Sequence, residues 1–195
     1  MGRDVAATVI LPGYGGSSGA HWQTLWQARD PAMTRFQPAS WDAPELEDWI
    51  AALDRAVVGA AEPPLLVAHS LACLLVPHWA ARGARPVRDA VRGAFLVAPP
   101  DPDGPEFPAA AASFRAVPRG ALPFPALVVA STDDPYAGPE FARRCAAEWD
   151  AGLVVAGALG HINAASGLGD WPQGAALLEA FRAGTRRGRG VPARL

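Results

Sequence analysis

Lysine is missing from the 195 residues, so all 17 basic side chains are arginine, set against 19 Asp and Glu for a formal charge of −2. Without lysine the phosphate-binding pattern GxxxxGKS is excluded, and GxGxxG does not occur either. A chain so near neutrality also lacks the basic face that nucleic-acid binding requires. Its arginines scatter until the cluster Arg182, Arg186, Arg187 and Arg189, the last three in the ending TRRGRGVPARL, and residues 186–195 are expected to form a flexible, solvated Arg/Gly-rich tail. There are only two cysteines. Cys73 and Cys145 lie far apart in apolar or helical contexts with no CxxC spacing, which rules out a disulfide scaffold and the zinc and redox patterns. Long apolar runs are lacking too: MGRDVAATVILPG carries a short one before Gly and Pro, too short for a signal peptide or a membrane span. A soluble cytoplasmic protein is expected. The 4 histidines have no acidic or cysteine partners at metal-binding spacing, so no metal and no cofactor is expected.

What the chain does have is an apolar half, with 20 Gly and 20 Pro, which suits one turn-rich globular domain over residues 1–185. Short runs of Val, Leu and Ala recur at Ala7 to Leu11, Leu65 to Ala68, Ala94 to Ala98, Leu127 to Ala130 and Leu153 to Ala156. They lack polar alternation, as strands covered on both faces of a parallel sheet do. A further short strand is predicted through Ala39 to Trp41. Helical segments fall between: Trp22 to Ala28, Glu45 to Gly59, Leu71 to Arg82, Pro139 to Trp149 and Gln173 to Ala183, each bounded by Gly, Pro or Asp signals. Within the second, Leu46, Trp49, Ile50, Leu53 and Val57 form one apolar stripe that packs on the sheet. The alternation predicts βαβ units with right-handed crossovers, an α/β fold with helices on both faces of a mostly parallel sheet. Ligands of such sheets gather at the carboxyl ends of the strands. The irregular stretch from Pro99 to Pro125 serves either as a site-covering loop or as a connection with a short helix around Ala109 to Phe114.

The strand-ending loops carry the chemistry. In VAHSLAC, Ser70 has small residues two before and two after, Ala68 and Ala72, which matches the nucleophile elbow GxSxG with alanine for both glycines. The spacing is steric: a strand turning abruptly into a helix crowds backbone on either side of the serine, leaving room for a hydrogen or a methyl. Taken alone the pattern reads first as a helix N-cap and only second as a nucleophile. Company in the other loops decides it. Asp133 and Asp134 follow the strand ALVVAS and His161 follows LVVAG, so the chain order Ser, Asp, His is that of an α/β-hydrolase triad. A serine hydroxyl is a poor nucleophile unaided; an imidazole takes its proton, and a carboxylate fixes the imidazole tautomer and stabilises the cation. Asp134, one residue further from the strand and preceding Pro135, is preferred as the orienting acid, with Asp133 capping the turn and Asp101 and Asp103 as ordinary turn residues. The loop after Leu11, PGYGGSSGAHWQTLW, would supply one backbone N–H of an oxyanion hole, with Tyr14 as candidate donor, and Leu71 the other. His69 is expected to support the elbow, and His21 to border the site or, preferentially, to start a helix. Cys73 as an alternative nucleophile fares worse, since it would point from the first helical turn into the core.

Together LPGYGGSSGAHWQTLW, AHSLAC, STDDPY and GHINAASGLGDWPQG resemble the small serine hydrolases related to retinoblastoma-binding protein nine and their bacterial relatives. The resemblance runs from about Thr8 to about Phe181. It implies a compact α/β-hydrolase fold with little or no cap domain, with the family's catalytic positions falling on Ser70, Asp134 and His161. The expected activity is cleavage of a small carboxylic ester, thioester or amide through an acyl-enzyme, acting on a small-molecule acyl substrate with no nucleic-acid or membrane partner; nothing in the sequence indicates a protein partner. The competing expectation is an interaction module on a hydrolase scaffold with weak or lost catalysis, motivated by the alanine-flanked elbow and the arginine tail.

Overall fold

The computed structural model describes residues 7–82 and 87–188. Its strands are β1 (Thr8–Leu11), β2 (Met33–Arg35), β3 (Leu65–His69), β4 (Gly93–Val97), β5 (Ala126–Ala130) and β6 (Gly152–Val155), and its helices α1 (Trp22–Arg29), α2 (Leu46–Val58), α3 (Leu71–Arg82), α4 (Val87–Ala90), α5 (Pro139–Glu148) and α6 (Pro172–Gly188). The strands form one sheet in the order β2-β1-β3-β4-β5-β6, every neighbouring pair parallel. This is the α/β architecture, a parallel sheet flanked by helices, expected from the alternation of apolar runs and helices.

Period-two alternation sends successive strand residues to opposite faces. Val9, Leu11, Leu66 and Ala68 pack with Trp49 and Leu53 of α2 and with α3 and α5. Ile10, Val67, Phe95 and Val97 pack with Trp22 and Trp26 of α1 and Leu178 of α6. Both sides of β1, β3 and β4 are therefore apolar, and every residue of these strands is buried. The α2 stripe behaves as its spacing requires: Leu46, Trp49 and Leu53 are buried, and Ile50 and Val57 pack partly buried against the same cluster.

Two expectations need correction. The segment Ala39 to Trp41 is not a strand. The edge strand is β2, paired with β1 through Thr8↔Met33, Val9↔Thr34 and Ile10↔Arg35, and its half-exposed Met-Thr-Arg sequence gives no apolar run to detect. Residues 39–41 satisfy their backbone locally instead: the Ser40 carbonyl accepts from the Trp49 indole at 3.1 Å, and the Trp41 carbonyl from the Gly15 N–H at 2.9 Å. Secondly, the expected tail begins later than residue 186, because helix α6 takes in residues 186–188, and Arg182, grouped by sequence with the same arginine cluster, is anchored in the fold. It is 6% exposed, and its guanidinium donates to the Thr8 hydroxyl at 2.7 Å and to Glu179 at 2.8 Å. Helix α6 runs on to Gly188; residues 189–195, the rest of the expected tail, lie outside the described residues. The short helix at Ala109–Phe114 forms as a 3-10 turn. No helix among the described residues is long and apolar enough to cross a membrane.

What positions the site is strand order. From β1 the chain steps to β2 on one side, then returns to β3 on the other, so the order reverses between β1 and β3. A crevice opens at such a switch point, outside the carboxyl ends of the strands. Here it receives the Gly-rich loop after Leu11 and the turn after His69.

Candidate active site

Ser70 is the single residue between β3 and α3. Its φ of 55° lies in the left-handed region that side chains avoid, and the surrounding bonds over-determine it: the Ser70 N–H donates to the Val97 carbonyl at 2.9 Å, and the Ser70 carbonyl accepts from Cys73 N–H at 2.8 Å. Ala68 and Ala72 are wholly buried, so the turn accommodates their methyls. The place where it accepts no methyl is Gly13. A Cβ there would stand 2.8 Å from Ser70 Cβ, 2.9 Å from the His69 carbonyl and 3.2 Å from the Leu71 nitrogen. These are backbone and elbow atoms that cannot swing aside. Gly13→Ala is expected to push the Gly-rich loop off the elbow and lower ester turnover on the order of 10²-fold, the penalty of a shift of about 1 Å at a reacting centre. Turnover within threefold of the parent would show that the loop and elbow are not packed this way.

His161 bridges the other two residues. Its Nε2 lies 2.8 Å from Ser70 Oγ, and its Nδ1 lies 2.9 and 2.8 Å from the two oxygens of Asp134. Asp134 and His161 are 9% and 8% exposed, so water does not compete for the pair. With Nδ1–H donating to the carboxylate, Nε2 carries the lone pair that accepts from the serine hydroxyl, the arrangement by which an imidazole activates a serine. Asp133 turns away. It accepts from the Ser131 hydroxyl at 2.7 Å and the Gly160 N–H at 2.8 Å, bonds that hold its carboxyl below the ordinary range. It thus ties the loop after β5 to the loop after β6, a role close to the turn cap expected for it. Asp101 accepts from the Asp103 N–H within its own turn.

The His161 loop is held at several more points, and here sequence reasoning missed residues. The Trp22 indole donates to the Ile162 carbonyl at 2.8 Å. His69 Nε2–H donates to the His161 carbonyl at 2.9 Å, which gives the expected support of the elbow its form. The Leu159 N–H reaches the Ser131 hydroxyl at 2.9 Å. Gln23, fully buried, donates to the carbonyls of Leu11 at 3.2 Å and Val67 at 3.0 Å while accepting from the Ser17 hydroxyl at 2.6 Å. It thereby pins the Gly-rich loop to the ends of β1 and β3. An apolar helix that carries a polar residue among tryptophans, HWQTLW, was the available signal.

A cavity of about 520 Å³ opens beside Ser70, lined among others by Tyr14, His21, Leu71, Tyr136 and Asn163, a volume suited to a small organic ligand. Pro100, Glu106 and Pro108 line it as well, so the stretch from Pro99 to Pro125 does border the site. The backbone N–H groups of Tyr14 and Leu71 have no hydrogen-bond partner among the described residues. Cys73 is fully buried with its thiol against the Val97 carbonyl at 3.2 Å, and burial pushes the thiol well above its ordinary value; it is a core residue. No cluster of metal-ligating side chains occurs among the described residues.

Three histidines besides His161 are kept neutral by burial. His21 is lowered to about 4, by burial first and then by the charges of Arg35 and His161. His69 lies well below its ordinary value and His78 is lowered, both chiefly through burial. An unfolded chain protonates such rings near pH 6.5, whereas the folded one does not until about pH 4 at His21. Across that window the unfolded state binds more protons, so stability falls as pH falls. The urea midpoint is expected to be lower at pH 5 than at pH 7.5; an equal or higher midpoint at pH 5 would contradict the neutral buried rings.

Comparison with known proteins follows the same lines. The family model described as serine hydrolase matches residues 8–180. A YdeN-like hydrolase from Pectobacterium atrosepticum is 30% identical, with 92% of each chain covered and a TM-score of 0.81. The YdeN gene product of B. subtilis is 24% identical, with 92% of this chain and 100% of that one covered and a TM-score of 0.75. The type II thioesterase BorB of the borrelidin cluster shares the fold at 16% identity, with 92% and 94% of the two chains covered and a TM-score of 0.61. No curated protein matches the chain.

Proposed function

Because the chain belongs to the serine hydrolase family, we propose that it cleaves a small carboxylic ester, thioester or amide through an acyl-enzyme on Ser70. The reading is carried by one observation: a single imidazole within 2.8 Å of both a serine hydroxyl and a buried carboxylate. In the reaction Ser70 Oγ attacks the substrate carbonyl as His161 Nε2 takes its proton. Asp134 holds the imidazole with Nδ1–H toward itself and stabilises the imidazolium. The oxyanion is received by the N–H groups of Tyr14 and Leu71, two residues of the cavity lining, one from the loop after β1 and one from the start of α3. His161 then returns the proton to the leaving group. Water, deprotonated by the same imidazole, attacks the acyl-serine; the acid leaves and the proton passes back to Ser70. No cofactor takes part in this cycle.

A fluorophosphonate probe tests the reading, since it phosphonylates an activated serine far faster than an ordinary hydroxyl. The expected result is stoichiometric phosphonylation at Ser70, mapped by peptide mass. An intact protein left unlabelled at Ser70, under conditions where a control hydrolase reacts, would overturn it and favour the scaffold without catalysis.

A further inference from the structure

The cavity wall holds one buried side-chain nitrogen without a partner among the described residues, and the acyl-transfer cycle leaves it unused. His21 is the N-cap of α1, where its Nδ1 accepts from the Gln23 N–H at 3.2 Å. That bond occupies the Nδ1 lone pair, so the neutral ring carries its hydrogen on Nε2. Nε2 is buried and has no partner among the described residues. The residue is 4% exposed and lines the same cavity as Ser70. Its ring stands edge-on to His69, with centroids 4.7 Å apart, and His69 in turn lies 5.0 Å from His161. Buried N–H groups without a partner are rare and costly, and since His21 belongs to the cavity wall, an oxygen of a bound ligand would relieve that cost.

The charge of the wall limits what that ligand carries. No arginine is among the lining residues, and apart from the histidines the ionisable side chains there are Glu106 and the two tyrosines. An anionic group would meet a carboxylate and no cation. A proton on His21 is opposed by burial and by the charge of His161, so the ring stays a neutral donor while His161 passes through its imidazolium state.

We propose that His21 determines substrate specificity, its Nε2–H donating to an uncharged oxygen (carbonyl, ether or hydroxyl) on the acyl or alcohol part of the ester held beside Ser70. The assignment rests on the Ser70 reading above. A substrate with that oxygen satisfies the orphaned donor; a hydrocarbon chain of the same shape leaves it unpaired. Discrimination by a buried donor of this kind is large relative to its size.

Matched esters test it, in which one chain methylene at a time, in the acyl or the alcohol part, is replaced by an ether oxygen. For each pair the kcat/KM ratio of oxa to methylene ester is measured in the parent and in His21→Asn. Asparagine keeps a side-chain oxygen for capping α1 but is too short to place a donor where Nε2 stands. The ratio for the best oxa position is expected to fall about tenfold in the variant. Ratios equal within twofold at every position would overturn the assignment. A second measurement needs no variant: the His21 Nε2–H proton resonance of the parent should move downfield when Ser70 carries the phosphonate of the best oxa ester and not when it carries the alkyl one. A resonance that moves equally in both adducts would also overturn it, even if the variant fails to fold. Failure of Ser70 to accept any phosphonate fells the acyl-enzyme reading itself, an outcome separate from an unchanged ratio in a labelled enzyme.

Discussion

Ser70→Ala is expected to lower p-nitrophenyl ester turnover by about 10⁴-fold or more, the loss seen when the nucleophile of such a relay is removed. The substitution deletes one oxygen, and with it the 2.8 Å contact to His161. The bonds that shape the turn survive, because Ser70 N–H to Val97 and Cys73 N–H to the Ser70 carbonyl are made by backbone. Serine already holds a φ of 55° with its own Cβ, so alanine adds little backbone strain; the variant folds and its thermal midpoint drops by a few degrees at most. No nearby group replaces the hydroxyl: the Cys73 thiol is buried among core residues, with burial holding it protonated. Folded protein with an unchanged rate would mean that hydrolysis arises elsewhere, and would revive the scaffold without catalysis.

How far the sequence revealed this site depends on the kind of signal each part leaves. Buried parallel strands appear as uninterrupted apolar runs, so β1, β3, β4 and β5 fall within a residue of expectation. The edge strand β2 leaves no such mark, being three partly exposed residues, Met-Thr-Arg, whereas the opposite edge, β6, keeps an apolar Leu-Val-Val run. Ser70, Asp134 and His161 were legible because each follows an apolar run, and parallel topology alone brings the ends of such runs to one rim. Charge misled at Arg182. Placed in a run of arginines it reads as solvated, yet helix α6 turns that position toward Thr8 and buries it. For Gln23 and Trp22 the stretch HWQTLW marks the residues but not their roles: their partners are main-chain carbonyls of Leu11, Val67 and Ile162, which carry no sequence signature. His21 was placed at a helix start, where it does sit; that its other nitrogen lacks a partner emerges only once the cavity is built.

The adjacent aspartates offer the sharpest discrimination. Asp134→Asn is expected to lower kcat by about 10⁴-fold with little change in KM. The argument is one of hydrogen-bond polarity. Asp134 Oδ1 accepts from the Tyr136 N–H at 2.9 Å, and this fixed donor keeps the amide oxygen of an asparagine on its own side. The amide N–H₂ then faces His161 Nδ1, where an acceptor is required. Two donors cannot meet, so the imidazole moves its hydrogen to Nε2 and can no longer take the proton of Ser70. Asp133→Asn differs in kind. Both groups bonded to Asp133 Oδ1, the Ser131 hydroxyl and the Gly160 N–H, are donors, and an amide oxygen accepts from them as a carboxylate does, only more weakly. Its kcat should stay within about tenfold of the parent, with a small loss of stability. Steady-state kinetics of the two variants side by side decide the matter: a larger kcat loss in Asp133→Asn would strip Asp134 of the orienting role and require His161 to lean on its neighbour instead.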